Sequence, residues 1–284
     1  MAFTSKPELN EKCFKTLIEM IHSLTGITIK PERKAMLEGR LTRRLRALDL
    51  PDFESYVNYM KNNKSEEEEF INKITTNETY FYRTPRIWEF ISDTYLSDWH
   101  AQNPSSTLNV WSAASSTGEE AHTLGVLLQA YKDKNPGFDY RITGTDIDSS
   151  VVQSATVGLY NGRSIDRFRK EKPDLFSSYM VGTDAHGYKV APNIKRNIQF
   201  KILNLFNPAP VDKKYSLILL RNVLIYFSGE DIELVMQSVE KRLSASGIVI
   251  IGESESLNNL STNFVTVCPT IYQRVDEIQG AKAA

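Results

Sequence analysis

One stretch decides the fold class of this chain: Asn109-Val110-Trp111-Ser112-Ala113-Ala114-Ser115-Ser116-Thr117-Gly118-Glu119-Glu120. An apolar run that begins at Leu108 ends in small residues, meets a single glycine and opens at once into a pattern of helical period. This order predicts a strand, a tight turn and a helix, an arrangement in which the backbone closely approaches a bound ligand. We therefore expect an α/β domain with a ligand at the carboxyl end of this strand.

The residues of the turn also restrict the chemistry of that ligand. The second and third glycines of a dinucleotide-binding fingerprint are missing, and Glu119 and Glu120 stand where a helix start would hold a phosphate. A carboxylate pair at that place repels an anion and favours a cationic ligand. S-adenosylmethionine is such a ligand, because it carries a sulfonium and an ammonium group and has no phosphate. The alternative interpretation is an ordinary strand-to-helix turn with exposed acids.

A second acidic segment follows at a suitable distance. Residues 140–148 predict the next strand, which ends in Asp146 and Asp148 after room for one helix and a return loop. An acid at the end of the second strand can accept hydrogen bonds from ribose hydroxyls. Either aspartate can instead cap the helix that is predicted to start near Ser149, so that one caps while the other binds.

Composition indicates a globular protein of ordinary type. The 284 residues are 41% hydrophobic and 24% charged, and the formal net charge is −1, so the global charge favours neither nucleic acid nor a membrane surface. The two cysteines, Cys13 and Cys268, argue for a reducing compartment and against a disulfide scaffold or a cysteine-based zinc site. No apolar run approaches the roughly 18 residues of a membrane helix. We expect a cytoplasmic protein that needs no metal.

The pattern of the chain changes near residues 76–100. Before that point, helical periodicity and helix-start residues predict four helices, over residues 10–24 and from Pro31, Pro51 and Ser65. Beyond residue 105, strands alternate with helices, which predicts a doubly wound sheet. The further strand candidates are residues 197–205, 215–221, 246–252, 264–268 and 270–275, and the last two suggest a hairpin beside an otherwise parallel sheet.

The second predicted helix carries a cluster of arginines. Arg33, Arg40, Arg43 and Arg44 share one flank beside a stripe of leucines. This flank is either a solvated helix face or a docking surface for an acidic macromolecule. Because the chain as a whole is slightly acidic, the local cluster favours an acidic protein over nucleic acid as the partner.

Five ordered motifs give the chain a specific resemblance. It resembles the CheR-type chemotaxis receptor glutamate methyltransferases of bacteria, which show T-N-x-T-x-F-F-R, W-S-A-x-x-S-T-G-E-E, T-D-I-D, N-L and R-N-V-x-I-Y-F in this order. The corresponding segments here are residues 76–83, 111–120, 145–148, 204–205 and 221–227. The resemblance as a whole extends over about residues 10–275.

This resemblance implies both the fold and the domain boundaries. It implies a Rossmann-like S-adenosylmethionine-dependent methyltransferase domain of the α/β class over residues 101–276. A small N-terminal helical domain for receptor docking would occupy residues 1–76, followed by a junction and linker helix over residues 77–100. An antiparallel β-subdomain would be inserted at about residues 165–196, and residues 277–284 would form a disordered tail.

The resemblance also implies roles for individual residues. Arg83 and Tyr226 are the catalytic candidates: Arg83 would guide the substrate carboxylate or anchor that of the cofactor, and Tyr226 would lie near the transferred methyl group. With chemotaxis receptors as the partner, Arg40, Arg43 and Arg44 of the arginine cluster are the candidates for docking on the receptors' cytoplasmic helices. The residues carried over as cofactor-binding are Asn77, Thr79, Arg83, Glu120, Asp146, Asn204, Leu205, Arg221 and Asn222.

The chain departs from the family pattern at a few positions. Tyr82 replaces the usual second phenylalanine, and Ala121-His122 replace a common Pro-Tyr pair. Glu253 stands where a histidine is common, and it would add negative charge if its side chain faced the site.

Two other functions remain as alternatives. A methyltransferase for nucleic acid or an amine commonly carries an Asn/Asp-Pro-Pro-aromatic loop, whereas this chain has Arg221-Asn222-Val223-Leu224. A non-catalytic regulator that binds the cofactor would be expected to have lost Arg83 or Tyr226, and both are present.

The inserted subdomain bears on how the receptor is held. In some relatives it captures a short peptide at the receptor's C-terminus as an added edge strand. The corresponding stretch here, residues 179–190, looks slightly shorter, and Asp184 stands where a glycine is frequent. A side chain at that place would crowd a peptide backbone. We therefore expect an enzyme that does not depend on a receptor C-terminal pentapeptide, the alternative being simple drift of a surface loop.

Overall fold

The N-terminal part consists of four helices around one apolar core, as predicted. The computed structural model describes residues 7–208, 210–211 and 213–275. Asn10 caps the first helix by accepting a hydrogen bond from the Cys13 amide, and Gly26, with φ of 74°, ends it. A 3₁₀ turn at Pro31–Arg33 leads into the second helix. The four helices are α1 (Glu11–Thr25), α2 (Lys34–Ala47), α3 (Phe53–Asn62) and α4 (Glu66–Ile74).

A linker of helical turns joins this domain to the sheet. It runs through α5 (Pro85–Phe90), a π turn (Ile91–Tyr95) and α6 (Leu96–Gln102) without a break. Buried aromatic side chains of this linker, among them Trp88 and Trp99, belong to the core of the sheet rather than to that of the helical domain. The linker therefore packs as part of the second domain.

The second domain is built on one mixed, seven-stranded sheet, which confirms the predicted α/β fold. Its strands lie in the order β5-β2-β1-β6-β7-β9-β8. The first five in this order pair in parallel, whereas β9 runs antiparallel to both β7 and β8, so the predicted C-terminal hairpin is present. The strands are β1 (Thr107–Ser112), β2 (Asp139–Asp146), β5 (Ile198–Ile202), β6 (Tyr215–Leu220), β7 (Leu243–Ile251), β8 (Phe264–Cys268) and β9 (Ile271–Arg274).

Helices cover the sheet, and the chain order reverses beside β1. Both neighbours of β1, the strands β2 and β6, are parallel to it but lie on opposite sides. Such a switch point opens a crevice at the carboxyl ends of the strands. The main covering helices are α7 (Glu119–Lys134), α8 (Ser149–Val157) and α12 (Gly229–Arg242).

The inserted segment contains the expected antiparallel pair of strands, flanked by helices. Two short strands, β3 and β4, pair antiparallel from Met180↔Val190 to Thr183↔Gly187. The elements of the segment are α9 (Arg163–Glu171), α10 (Pro173–Tyr179), β3 (Met180–Thr183), β4 (Gly187–Val190) and α11 (Pro192–Lys195).

Two other predictions concern the ends and the surface of the chain. The tail predicted at residues 277–284 lies outside the described residues. In the part of the chain that the structure describes, no helix has both the length and the apolar character needed to span a bilayer.

Candidate active site

A cleft opens at the carboxyl ends of β1, β2 and β6, where the switch point predicts it. Both domains contribute to its walls. All nine residues predicted to bind the cofactor lie on these walls, together with Tyr226: Asn77, Thr79, Arg83, Glu120, Asp146, Asn204, Leu205, Arg221 and Asn222.

The turn after β1 forms the floor of the cleft. Ser116 and Gly118 both adopt positive φ values, 48° and 95°, which only a few residue types adopt readily. The Ser116 amide donates to Asp146 Oδ2 over 2.8 Å, and the Ser116 hydroxyl donates to the carbonyl of Asn77 over 2.8 Å. These bonds connect the turn to the end of β2 and to the junction segment.

The sequence left open which of Asp146 and Asp148 caps the next helix and which faces the ligand, and the structure gives each aspartate one of these roles. Asp148 caps α8 by accepting from the amides of Ser150 and Val151. Its other oxygen accepts from the Thr75 hydroxyl, over 2.8 Å, and from the Asn77 amide group, over 2.6 Å. Asp148 thus fixes the junction segment.

Asp146 is the aspartate that faces the cleft. It is 9% exposed, and burial raises the pKa of its carboxyl group despite hydrogen bonds from the backbone. A carboxylate that is largely desolvated at the edge of a cleft is well suited to accept hydrogen bonds from ligand hydroxyls, because those bonds replace lost water.

The interpretation of Glu119 and Glu120 as a pair facing the ligand is wrong for Glu119. That side chain is 4% exposed and points away from the cleft, where it accepts hydrogen bonds from the hydroxyls of Thr117 and Ser164 over 2.6 and 2.8 Å. Successive residues of a helix point about 100° apart, so when Glu120 faces the cleft, Glu119 points in another direction.

Glu120 does line the cleft, but its charge is already paired. It forms an ion pair of 2.8 Å with Arg221, whose side chain is 1% exposed, and it accepts from the Ser112 hydroxyl over 2.8 Å. The Arg221 guanidinium also donates to the carbonyl of Arg83 and lies over the ring of Trp88. The negative charge of Glu120 is therefore balanced within the protein.

The two catalytic candidates lie on the same cleft. Arg83 is half-buried, donates to the carbonyl of Glu78 over 3.2 Å and lies 5.7 Å from the centre of the Tyr80 ring. Within the described part of the chain, no carboxylate pairs with its guanidinium. Tyr226 is half-buried at the end of a 3₁₀ turn (Leu224–Tyr226).

A buried glutamate fixes the loop that carries Asn222 and Tyr226. Glu255 accepts hydrogen bonds from the amides of Asn222, Leu224 and Gly252, over 2.9, 2.8 and 2.6 Å. These bonds hold Asn222 at a φ of 60°, in the left-handed region. Glu253, by contrast, is half-exposed outside the cleft and pairs with Arg86 over 3.0 Å, so its charge does not face the site.

The helical domain supplies one wall of the cleft, which the sequence did not reveal. Thr25 and Ile27, on either side of Gly26 in the sequence, line the cleft. A glycine that ends an amphipathic helix signals a turn, but nothing in the sequence indicates what that turn meets. The strand predicted over residues 197–205 ends earlier, at Ile202. Leu203, Asn204 and Leu205 line the cleft, as the resemblance implies for Asn204 and Leu205.

The arginines predicted to dock a partner are used differently from one another. Arg40 donates to the carbonyls of Ile74 and Thr75 and to the Thr76 hydroxyl, and so ties α2 to the junction segment. Arg44 forms two hydrogen bonds with the buried carboxylate of Glu66. Only Arg43 of the three is exposed. The predicted surface is therefore reduced, because two of its cations serve the fold.

The cleft fits S-adenosylmethionine in the chemistry of its groups. Asp146 offers a desolvated carboxylate for ribose hydroxyls, and Asn222 offers a side-chain amide. Asn204 already uses its side-chain amide within the protein, donating to the Leu24 carbonyl and accepting from the Phe206 amide, and so fixes this wall beside apolar Leu205. Arg83 offers a cation for a carboxylate group, either that of the cofactor or that of a substrate. No cluster of positive side chains that would hold phosphates lies on the described walls, which agrees with a ligand that has none.

Comparisons with known proteins agree with this site. Residues 77–272 match the family model described as the CheR methyltransferase S-adenosylmethionine-binding domain, and residues 12–75 match the one described as the CheR methyltransferase all-α domain. The chemotaxis protein methyltransferase of Escherichia coli (strain K12) is 29% identical, over 96% of this chain and 94% of its own length. That of Borreliella burgdorferi is also 29% identical, over 91% and 92%. The chain therefore belongs to the CheR methyltransferase family and carries that family's S-adenosylmethionine-binding methyltransferase domain.

Proposed function

We propose that this methyltransferase acts on glutamate side chains of the cytoplasmic helices of chemotaxis receptors and forms glutamyl methyl esters and S-adenosylhomocysteine. The observation that carries the proposal is Arg83, a half-buried cation on the cofactor cleft that no carboxylate of the described chain neutralises. A carboxylate substrate would supply the missing partner. The names of the relatives, chemotaxis protein methyltransferases, support the same class of substrate.

The chemistry asks for alignment rather than for a base. A glutamate side chain has an ordinary pKa of about 4.3, so it is an anionic nucleophile at neutral pH. When bound, the cofactor supplies a methyl group activated by its sulfonium. In this proposal Arg83 orients the incoming carboxylate, and the Tyr226 hydroxyl positions it. Both act by holding the reacting oxygen in line and excluding water.

The proposed reaction can be tested directly with labelled cofactor. Receptor-bearing membranes are incubated with methyl-labelled cofactor, and the labelled receptor is then treated with base. Release of labelled methanol is expected, because methyl esters are base-labile; a label that survives base, or no label on the receptor, would contradict the proposal.

Two variants separate the roles of substrate and cofactor. Tyr226→Phe is expected to lower turnover while calorimetry finds cofactor affinity near that of the wild type. Arg83→Ala is expected to lose turnover, with or without loss of cofactor binding. The matched control is Arg86→Ala, which removes a neighbouring arginine that pairs with Glu253 outside the cleft. Normal turnover in Tyr226→Phe would remove that residue from the mechanism.

We further propose that the enzyme docks through its helical domain and does not need the receptor's C-terminal pentapeptide. Arg33 and Arg43, which are both exposed, are the candidates for electrostatic contact with acidic receptor helices. In the insert, Asp184 pairs with Arg169 over 2.6 Å, and the same guanidinium lies over the rings of Phe176 and Tyr188. This pair ties the β3–β4 turn to α9. Micromolar, saturable binding of the pentapeptide would refute this part.

A further inference from the structure

A buried tyrosine lies directly behind the turn that forms the floor of the cofactor cleft. Tyr160 is 5% exposed, and its hydroxyl group is 2.7 Å from the carbonyl oxygen of Thr117 and 2.7 Å from Nδ1 of His122. The carbonyl can only accept, so it takes the single hydroxyl proton. Nδ1 of His122 must then carry a proton and donate to the tyrosine oxygen. The three groups form a directed chain, His122 to Tyr160 to Thr117.

The rest of the histidine agrees with this assignment. His122 is 0% exposed, and its Nε2 atom has no hydrogen-bond partner among the described residues. The other tautomer would leave an N–H donor at Nε2 unpaired and would leave the Thr117 carbonyl without its hydrogen bond. That arrangement costs more free energy than the single unpaired acceptor at Nε2 of the assigned tautomer. Burial lowers the pKa of His122 to about 3, so the ring is neutral and acts as a fixed donor rather than as a proton carrier.

The turn is held from two sides. On the cleft side, Ser116 is bound by Asp146 and by the carbonyl of Asn77. On the opposite side, the next peptide unit is bound by Tyr160 through the carbonyl of Thr117. The fit is tight, because a Cβ atom at Gly118 would lie 2.9 Å from the Tyr160 hydroxyl oxygen and 2.8 Å from Cβ of Ala155.

Tyr160 is itself fixed by the inserted segment. Its backbone amide donates to the carbonyl of Tyr188 over 2.9 Å, and the Tyr188 amide donates back over 2.8 Å. Tyr188 lies in β4, so the hairpin of the insert positions the tyrosine behind the cofactor turn. The ring of Tyr160 also packs edge-on against that of Phe81, at 4.8 Å between centres.

We propose that Tyr160, with His122 as its donor, is a positioning residue for the cofactor: it fixes the peptide unit after Thr117 and so holds Ser116 in its binding orientation. Neither residue lines the cleft, and so neither is a catalytic residue. The proposal concerns the cofactor site of the family and is independent of which side chain receives the methyl group.

The test is the variant Tyr160→Phe, which removes one hydroxyl group and keeps the ring. We expect the dissociation constant and the KM for S-adenosylmethionine to rise about 3–10-fold, the effect of one lost hydrogen bond, with kcat changed less than twofold. Hydrogen exchange at the Gly118 amide, which donates to the Ser115 carbonyl within the turn, should become faster.

Tyr95→Phe is the matched control. Tyr95 is also buried, and its hydroxyl donates to a backbone carbonyl, that of Ser216, over 2.9 Å at the far end of β6. It should lose similar stability with no change in cofactor affinity or in exchange at Gly118. His122→Phe keeps the bond from Tyr160 to Thr117 and should weaken binding less than Tyr160→Phe. Wild-type cofactor affinity and wild-type Gly118 exchange in Tyr160→Phe would overturn the proposal.

Discussion

Replacing Arg44 with alanine tests whether the arginines of α2 hold the helical domain together or only meet a partner. The guanidinium donates to both oxygens of Glu66, over 2.6 and 2.5 Å, and the Tyr56 hydroxyl donates to the same carboxylate over 3.0 Å. The side chain of Glu66 is 3% exposed and that of Arg44 is 19% exposed. The variant therefore leaves a buried carboxylate with a single neutral donor nearby.

The expected cost follows from that geometry. Removal of one partner of a buried ion pair costs about 3–5 kcal/mol, because the other charge stays behind unpaired. We expect the lower end, about 3 kcal/mol, since the partly exposed arginine leaves a path for water. Glu66→Gln in the same chain should recover part of the loss, because an amide is less costly to bury than a charge. Arg43→Ala, at the exposed neighbour, should stay within about 0.5 kcal/mol of the wild type.

The assay is hydrogen exchange of the buried amides of α1–α4 in the full-length protein. It reports the stability of the helical domain separately, whereas a single unfolding curve of a chain with two cores need not be two-state. Protection lower by about 3 kcal/mol in Arg44→Ala, but not in Arg43→Ala, is expected. If both variants lie within 1 kcal/mol of the wild type, Arg44 is a surface residue and the reasoning fails. If Arg44→Ala does lose this stability, charge reversal at Arg40, Arg43 and Arg44 together would destabilise the helical domain as well as change its surface. Docking must therefore be tested at the exposed Arg33 and Arg43.

Three further predictions concern the cleft and the buried histidine behind its floor. Asp146→Ala should weaken S-adenosylmethionine binding by about 1–3 kcal/mol in calorimetry, because buried polar partners lose their acceptor; unchanged affinity would contradict the assignment. Glu120→Ala should lower the urea midpoint, because it leaves the buried guanidinium of Arg221 without its carboxylate, whereas Glu253→Ala should leave it unchanged. His122 stays neutral in the fold, with its pKa lowered to about 3, but binds a proton in the unfolded chain below about pH 6.5. Stability should therefore fall as the pH falls, by about 2 kcal/mol more between pH 7 and pH 5 in the wild type than in His122→Phe.

The fold was predictable because each of its signals is local. The small-residue turn before Gly118, the alternation of strands and helices, and the caps at Asn10 and Asp148 all depend on residues a few positions apart. Local signals alone left open which of Asp146 and Asp148 faces the ligand; the resemblance to the family selected Asp146, which ends its strand and lies on the cleft.

The sequence could not show the pairings whose two partners are distant from each other along the chain. Arg44 meets Glu66 and Arg221 meets Glu120 only once the helices and strands have packed. A surface arginine and a buried one therefore look alike in the pattern of α2. The direction of Glu119, by contrast, was available from helix geometry, because its neighbour Glu120 was assigned to the cleft and two adjacent helical residues do not share one side.

The helical domain forms hydrogen bonds with two segments that line the cleft, so the geometry of the cleft depends on both domains. The Thr28 amide donates to the carbonyl of Tyr226 over 2.8 Å, and the Leu24 carbonyl accepts from Asn204 over 2.8 Å. Tyr226 ends a turn of only three residues, whose other anchor is the bond from the Leu224 amide to Glu255. One support of the proposed catalytic tyrosine thus comes from the loop after α1. A displacement of that loop would move Tyr226 relative to the cofactor wall, so the helical domain helps to position the residues of the cleft.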